Sequence, residues 1–239
     1  MKKMSALLSV IFLLSIMPVQ SQSLDEILKE HFAASGQEKL IKTNTQKLTG
    51  KMLQGGIEIP FIQMAKRPGK VRVEGTFQAL TFIQNYNSTQ GWSLNPFAGV
   101  AEPQPMSEDE LKSMRYQSDM DGMLWNWKDK GYTVTSEGKE DIEGTSCFKI
   151  KIVTKEGDSF IYFIDVDSYL MIKTTTKVKV MGNETESDTF YSNYSQVEGM
   201  AVPGKIETKM NGQVMMTLVV EKVEIDVDLA DALFEKPVK

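Results

Sequence analysis

The 239 residues contain one cysteine and one histidine. A single Cys147 excludes an intrachain disulfide and a Cys-based zinc site. Its place in the apolar run SCFKIKIV reads as a buried, inert thiol. His31 alone cannot build a histidine metal centre, and its position reads as the polar flank of a first helix. No G-x-S-x-G elbow, H-E-x-x-H pair or Walker loop occurs, and Gly55-Gly56 lacks the following Lys-bearing helix of a phosphate cradle. The sequence therefore asks for no catalytic residues, metal or cofactor. Excess positive charge is absent too: the net charge of −5 becomes −7 if Lys2 and Lys3 are removed. That balance argues against nucleic acid, whose phosphates require clustered Lys and Arg.

Long apolar runs are missing except at the start. Met1-Lys2-Lys3, the apolar stretch Ala6 to Met17 and the small-residue site Val19-Gln20-Ser21 have the form of a secretory signal over residues 1–21. The stretch is too short and wrongly flanked for a membrane span. A mature chain starting near Gln22, with no cysteine at its head for lipid attachment, is expected in the periplasm or outside the cell. The Lys-Lys head looks bacterial, so the N-x-Ser/Thr matches at Asn87, Asn183 and Asn193 are read as chance. Residues 22–239 suit one domain.

What is there is mostly period-two patterning. After a short amphipathic helix from Ser23 to Ala34, capped by Ser23 with Glu26 three residues on, strands are expected at Gln46–Leu53, Ile57–Lys66, Lys70–Phe77, Ala79–Tyr86 and Gly91–Leu94. They resume at Tyr132–Ser136, Thr145–Thr154, Ser159–Asp165, Leu170–Val180, Glu186–Tyr194, Val202–Met210 and Val214–Val227, with Asn211-Gly212 the strongest hairpin signal. Between the two sets, the stretch from Asn85 to Gly131 crosses a Pro/Gly-rich loop. It then turns helical at Ser107, with Glu110 as capping-box partner. Leu111, Met114, Met120, Met123, Leu124 and Trp127 follow at near-helical spacing, which predicts one covered face from Ser107 to Lys130. Short turns between sequential strands imply an antiparallel meander, and a sheet of about eleven strands must curl. The expected fold is mainly β with helices (α+β), an unclosed antiparallel barrel with a helical lid on its concave face.

Several strands, such as Phe160-Ile161-Tyr162-Phe163-Ile164, carry apolar residues on both faces, so something must cover the second one. The first helix and the central insert are the available covers. The abundant methionines fit either ordinary core filling or a surface that adapts to variable apolar ligands. Asp165 and Asp167 read as a turn, and Asp226, Asp228 and Asp231 as a solvated charge run.

Two stretches carry a family resemblance: Met64-Ala65-Lys66-Arg67-Pro68-Gly69-Lys70-Val71-Arg72-Val73, then Gly91-Trp92-Ser93-Leu94-Asn95-Pro96-Phe97. The run from Tyr191 through Gly199-Met200-Ala201-Val202-Pro203-Gly204 and the ending Ala232-Leu233-Phe234-Glu235-Lys236-Pro237 agree with them in order. Together they resemble the LolA/LolB-type carriers of outer-membrane lipoprotein sorting. That resemblance implies an unclosed barrel whose helices lid an apolar cavity. It also implies binding of acyl chains of lipoproteins or other lipids, and their transfer between membrane-bound donor and acceptor proteins by a monomeric, non-enzymatic carrier. Arg67 would clasp the lid by reaching its backbone carbonyls. Cavity and lid would be lined by Met64, Phe77, Phe82, Trp92, Phe97, Leu111, Met114, Met120, Leu124 and Trp127. An interaction or stress-sensing module on the same scaffold is the alternative. The acidic, Met-rich insert and the longer chain depart from the family pattern.

Overall fold

The computed structural model describes residues 22–180 and 182–237, so the expected export signal lies outside the described residues. In chain order it contains α1 (Leu24–Ser35), α2 (Gln37–Leu40), β1 (Thr45–Gln54), β2 (Ile57–Lys66), β3 (Lys70–Phe77), β4 (Leu80–Asn87) and β5 (Gly91–Leu94). A 3-10 turn (Pro96–Ala98), β6 (Gln104–Pro105) and α3 (Glu108–Ser118) follow. The second half holds β7 (Thr133–Ile142), β8 (Thr145–Val153), β9 (Ser159–Asp165), β10 (Met171–Val180), β11 (Asn183–Val197), β12 (Met200–Met210) and β13 (Gln213–Ile225), then a 3-10 turn at Asp231–Phe234.

The thirteen strands form one antiparallel sheet in the order β6-β5-β4-β3-β2-β1-β13-β12-β11-β10-β9-β8-β7. The meander is as expected; the strand unforeseen in the sequence is the two-residue β6. β7 also runs past its expected end at Ser136, through a register shift between Ser136 and Lys139. The first and last strands meet at the centre, with Leu48 opposite Val223. β6 and β7 are left as free edges that do not pair, so the barrel stays open. The connection between those edges contains α3.

Both long helices begin with the capping box their sequences specify. The Ser23 and Ser107 hydroxyls accept from the backbone N–H of Glu26 and Glu110, whose carboxylates accept in return from the serine N–H groups. Gly36 ends α1 at φ 75°, where a Cβ would fall 2.1 Å from the Gly199 carbonyl oxygen. Glycine lets the helix end sit directly on the β11–β12 turn. The central helix is shorter than predicted. It stops at Ser118, and 119–131 is a chain of turns with Gly122 at φ 74° and Asn126 at φ 50°. Met120, Met123, Leu124 and Trp127 thus belong to a folded-back loop rather than to the lid helix. Asp121-Gly122 is the turn signal that breaks the apparent periodicity.

The core is divided by the sheet. On the inner, helix-bearing face, Ile27 and Leu28 of α1 and Met123 and Leu124 of the loop pack on Phe148, Ile150, Ile152, Phe160 and Ile164 of β8 and β9. On the outer face Cys147, Ile142 and Phe163 form a separate cluster. Lysines cover it: Lys149 and Lys173 lie over the Phe163 ring, and Lys173 and Lys209 over Phe190. The second apolar face is therefore sheltered by lysines whose ammonium groups lie over the rings as cation–π partners, a cover that the sequence reading missed.

The C-terminal tail straps the outer face of β1 to β4. Leu229 and Phe234 pack on Met64. Arg72 donates to the Leu233 carbonyl at 3.1 Å, and the Asn85 amide to that of Phe234 at 2.5 Å. Asp226 and Asp231 are exposed, as expected of a solvated run, and also take part in this fastening. Asp226 accepts from the Asn44 N–H at 2.7 Å, and Asp231 pairs with Lys66 at 3.1 Å and Lys70 at 2.8 Å.

Candidate functional site: an apolar groove beside a tethered helix

Helical cover is unequal along the inner face. Over β8 and β9 it comes from α1 and the 119–131 loop. Over β4, β3, β2, β1 and β13 the sheet presents Phe82, Val73, Ile59, Phe61, Met52, Leu218 and Met216 to a groove of about 610 Å³, closed on one side by Asn95, Phe97 and Gln117. That volume lies within the range of small-ligand sites. The alternation of each strand explains the lining. Ile57, Ile59, Phe61 and Gln63 share one face of β2, while Ile62 and Met64 face the tail. Two glycines give the groove its depth. A Cβ on Gly75 would stand 2.4 Å from the Phe82 ring, and one on Gly50 would stand 2.0 Å from the Val219 carbonyl oxygen.

α3 spans from one arm of the sheet to the other. On the first arm Met114 and Leu111 pack on Val71, Tyr86 and Met106. On the second, Lys112 and Tyr116 reach Asp158 at 3.0 Å and 2.8 Å, and the Tyr116 ring meets Phe160 edge-on at 5.2 Å. Burial raises the Tyr116 pKa above its ordinary value, so the phenol stays a donor. Below α3, Arg67 donates to the Thr43 carbonyl at 2.7 Å, the Leu40 carbonyl at 3.1 Å and the Asp121 carboxylate at 2.5 Å. One guanidinium thus ties the exit of α2 to the loop after α3. The carbonyls it reaches belong to Leu40 and Thr43, outside the expected lid, and the 107–130 stretch is held through the Asp121 carboxylate rather than through its backbone.

A second, smaller cavity of about 280 Å³ lies between α1, the loop and β10 to β12. His31, Met120, Tyr162, Tyr191 and Tyr194 line it. His31 is buried, with its Nδ1 2.8 Å from the Tyr169 carbonyl, and is not on a polar flank. Desolvation lowers its pKa, which keeps the ring neutral with the proton on Nδ1. Cys147 is buried, and burial pushes its thiol up to about 11, which leaves it unreactive. Among the described residues no group of His, Cys, Asp and Glu is placed to hold a metal, and no helix is long and apolar enough to cross a membrane.

The residues expected to act together are distributed over several places. Phe77, Phe82 and Phe97 line the large groove. Leu111 and Met114 bind α3 to the sheet beside it. Met120 and Leu124 line the second cavity, and Leu124 with Trp127 borders a crevice along α1. Met64 and Trp92 lie on the outer face, Met64 under the tail and Trp92 beneath the Arg72 guanidinium at 5.5 Å. Alternation marked both as in-or-out residues but could not say which face was inner. Met52, Ile59, Phe61 and Leu218 were missed; each was legible only as one half of an alternating strand.

No family model matches the chain, and no curated protein sequence matches it. Solved structures do. A LolA superfamily protein from Nitrosomonas europaea superposes with a TM-score of 0.58 at 14% identity, over 90% of this chain and 99% of that one. A domain named for outer membrane lipoprotein sorting, from Vibrio parahaemolyticus, gives 0.56 at 11% identity over 88% and 95%. A DUF1329 family protein from Desulfovibrio piger gives 0.59 at 16% identity over 87% and 97%. The chain has the LolA-type fold: an open, antiparallel α+β barrel.

Proposed function

We propose that this protein is an exported carrier that shelters acyl chains of lipoproteins or other lipids in the groove between β4 and β13 and passes them toward the outer membrane. The observation that carries the reading is the unequal cover of the inner face. One half is covered by α1 and the 119–131 loop, with a smaller cavity left beneath them, and the other is a phenylalanine- and methionine-lined groove beside a tethered helix. A filled interior would have favoured an interaction module instead. The site residues of the reading are Phe61, Phe77, Phe82 and Phe97, with Met52 and Ile59, and α3 as the cover. It assigns no catalytic step, cofactor or nucleic-acid partner.

Energetics set what the cover must do. Burying one CH₂ contributes about 0.8 kcal/mol, so a sixteen-carbon chain offers on the order of 12 kcal/mol gross. A carrier must release its load, so an opposing cost is required. In this reading the contacts of α3 with both arms supply it, because loading displaces them and lowers apparent affinity by the fraction of open protein. Lipid extraction or native mass spectrometry of the purified protein is expected to find acyl ligands. A fluorescent fatty-acyl probe should bind and be displaced by them. Absence of both bound lipid and probe binding would overturn the reading.

A further inference from the structure

The tips of the hairpins that end at the groove carry no charge; set back from the β1–β2 tip, Lys51 and Glu58 pair at 2.9 Å. From Gly75 to Ala101, and again from Met210 to Val220, no Lys, Arg, Asp or Glu occurs, although a quarter of the chain is charged. The antiparallel order brings four tips side by side along one rim: the Pro96–Ala98 turn, β3–β4, β1–β2 and β12–β13. Each presents a large apolar side chain to solvent. Phe97 is 46% exposed, Leu80 44% and Ile57 42%, with Leu53 beside it. On β12–β13 Val214 is 54% exposed and Met215 45%. Between them stand uncharged amides, Gln54, Gln78, Asn211 and Gln213. The rest of the same rim is different: the β8–β9 turn bears Lys155, Glu156 and Asp158. The opposite rim bears Arg67, Glu143, Asp165 and Glu198 at its turns.

We propose that this arc of four tips is a membrane-docking edge that seats the groove mouth in the interfacial zone of a phospholipid bilayer. Isolated apolar side chains on separate hairpins, spaced by amides and free of ions, suit a layer of glycerol and ester groups. A protein partner or a second copy would bury the same residues only against a matching concavity. The charge-free arc also sets the class of surface: insertion is driven by apolar area, so it does not depend on anionic lipid. The groove lining runs out to Ile57, Gln78 and Leu80 on these tips, so a docked mouth would let an acyl chain pass between bilayer and groove without crossing water. The inference rests on the carrier reading above.

The test separates the two. Leu53, Val214 and Met215 lie on the tips but outside the groove lining. In flotation with phosphatidylcholine vesicles the full mature chain is expected to bind, equally well with added phosphatidylglycerol and at low or high salt. The Leu53→Gln/Val214→Gln/Met215→Gln variant should lose vesicle binding by about tenfold or more while binding a soluble fatty-acyl probe as the parent does. Probe binding without vesicle binding in the parent overturns the docking edge and leaves the carrier reading intact. Vesicle binding without probe binding overturns the carrier reading. Binding that needs anionic lipid and fails at high salt overturns the edge, as does a parent dimer that the triple variant dissociates.

Discussion

Lys112 and Tyr116, one turn apart on α3, converge on the single buried carboxylate of Asp158, which is 3% exposed. Their spacing places both on one side of the helix, so one acceptor on the β8–β9 turn fixes how α3 lies across the open edge. The consequence is an opposition between stability and loading. Asp158→Asn keeps the size of the side chain but removes its charge, leaving Lys112 without a counter-ion. The variant should lose about 2 to 4 kcal/mol of stability and yet bind acyl probes more tightly, because the helix is already loosened. Denaturant unfolding and probe titration read the two effects. A loss in both would place Asp158 in ordinary packing.

Arg67 holds two carbonyls and a carboxylate in one fork. Arg67→Lys preserves the charge but cannot serve all three acceptors. Thermal unfolding should show a destabilisation of about 1 to 3 kcal/mol, and Arg67→Leu should lose more because Asp121 is left with no counter-ion.

Gly75 admits the Phe82 ring against the sheet. Gly75→Ala forces that ring into the groove. Probe affinity is expected to fall by about tenfold, with a destabilisation of about 1 to 3 kcal/mol. A variant with unchanged affinity would show that ligands bypass this part of the groove.

His31 is neutral and buried in the folded state, and its pKa is lowered by desolvation. The unfolded chain therefore takes up a proton at higher pH than the folded one, so stability falls as pH drops below about 6.5. His31→Gln should flatten that part of the stability–pH curve measured by denaturant titration.

The C-terminal strap makes a prediction about the outer face. Phe234 is wholly buried against Met64 and Leu229. Phe234→Ala should cost about 3 to 5 kcal/mol and shift tryptophan emission to the red as the Arg72 guanidinium, held by the Leu233 carbonyl, leaves the Trp92 ring. An unchanged melting temperature would show that the strap is not part of the folded core.

The elements were readable where local chemistry decides them. Alternating strands, the Asn211-Gly212 hairpin and both Ser-x-x-Glu caps are local signals, and each is found where it was expected. The misreadings are matters of tertiary placement. Met120 to Trp127 keep helical spacing while the chain turns at Gly122 and Asn126, the apolar pattern having masked the local Asp121-Gly122 turn signal. Met64 alternates correctly, but the tail that covers it is more than a hundred residues away in sequence. His31 owes its burial to the Tyr169 carbonyl, equally distant along the chain. The apolar outer face was assigned a helical cover, since sequence patterning does not show lysine ammonium groups lying over Phe163 and Phe190.

The pairing of β1 with β13 also dictates when this molecule can finish folding. Each flank of the sheet grows by neighbouring hairpins and can assemble as its strands emerge, but the seam joining them needs the last strand synthesised. Until then β1 offers a bare backbone edge to any extended peptide nearby. A chain threaded N-terminus first through an export channel would hold that edge open for nearly its whole passage.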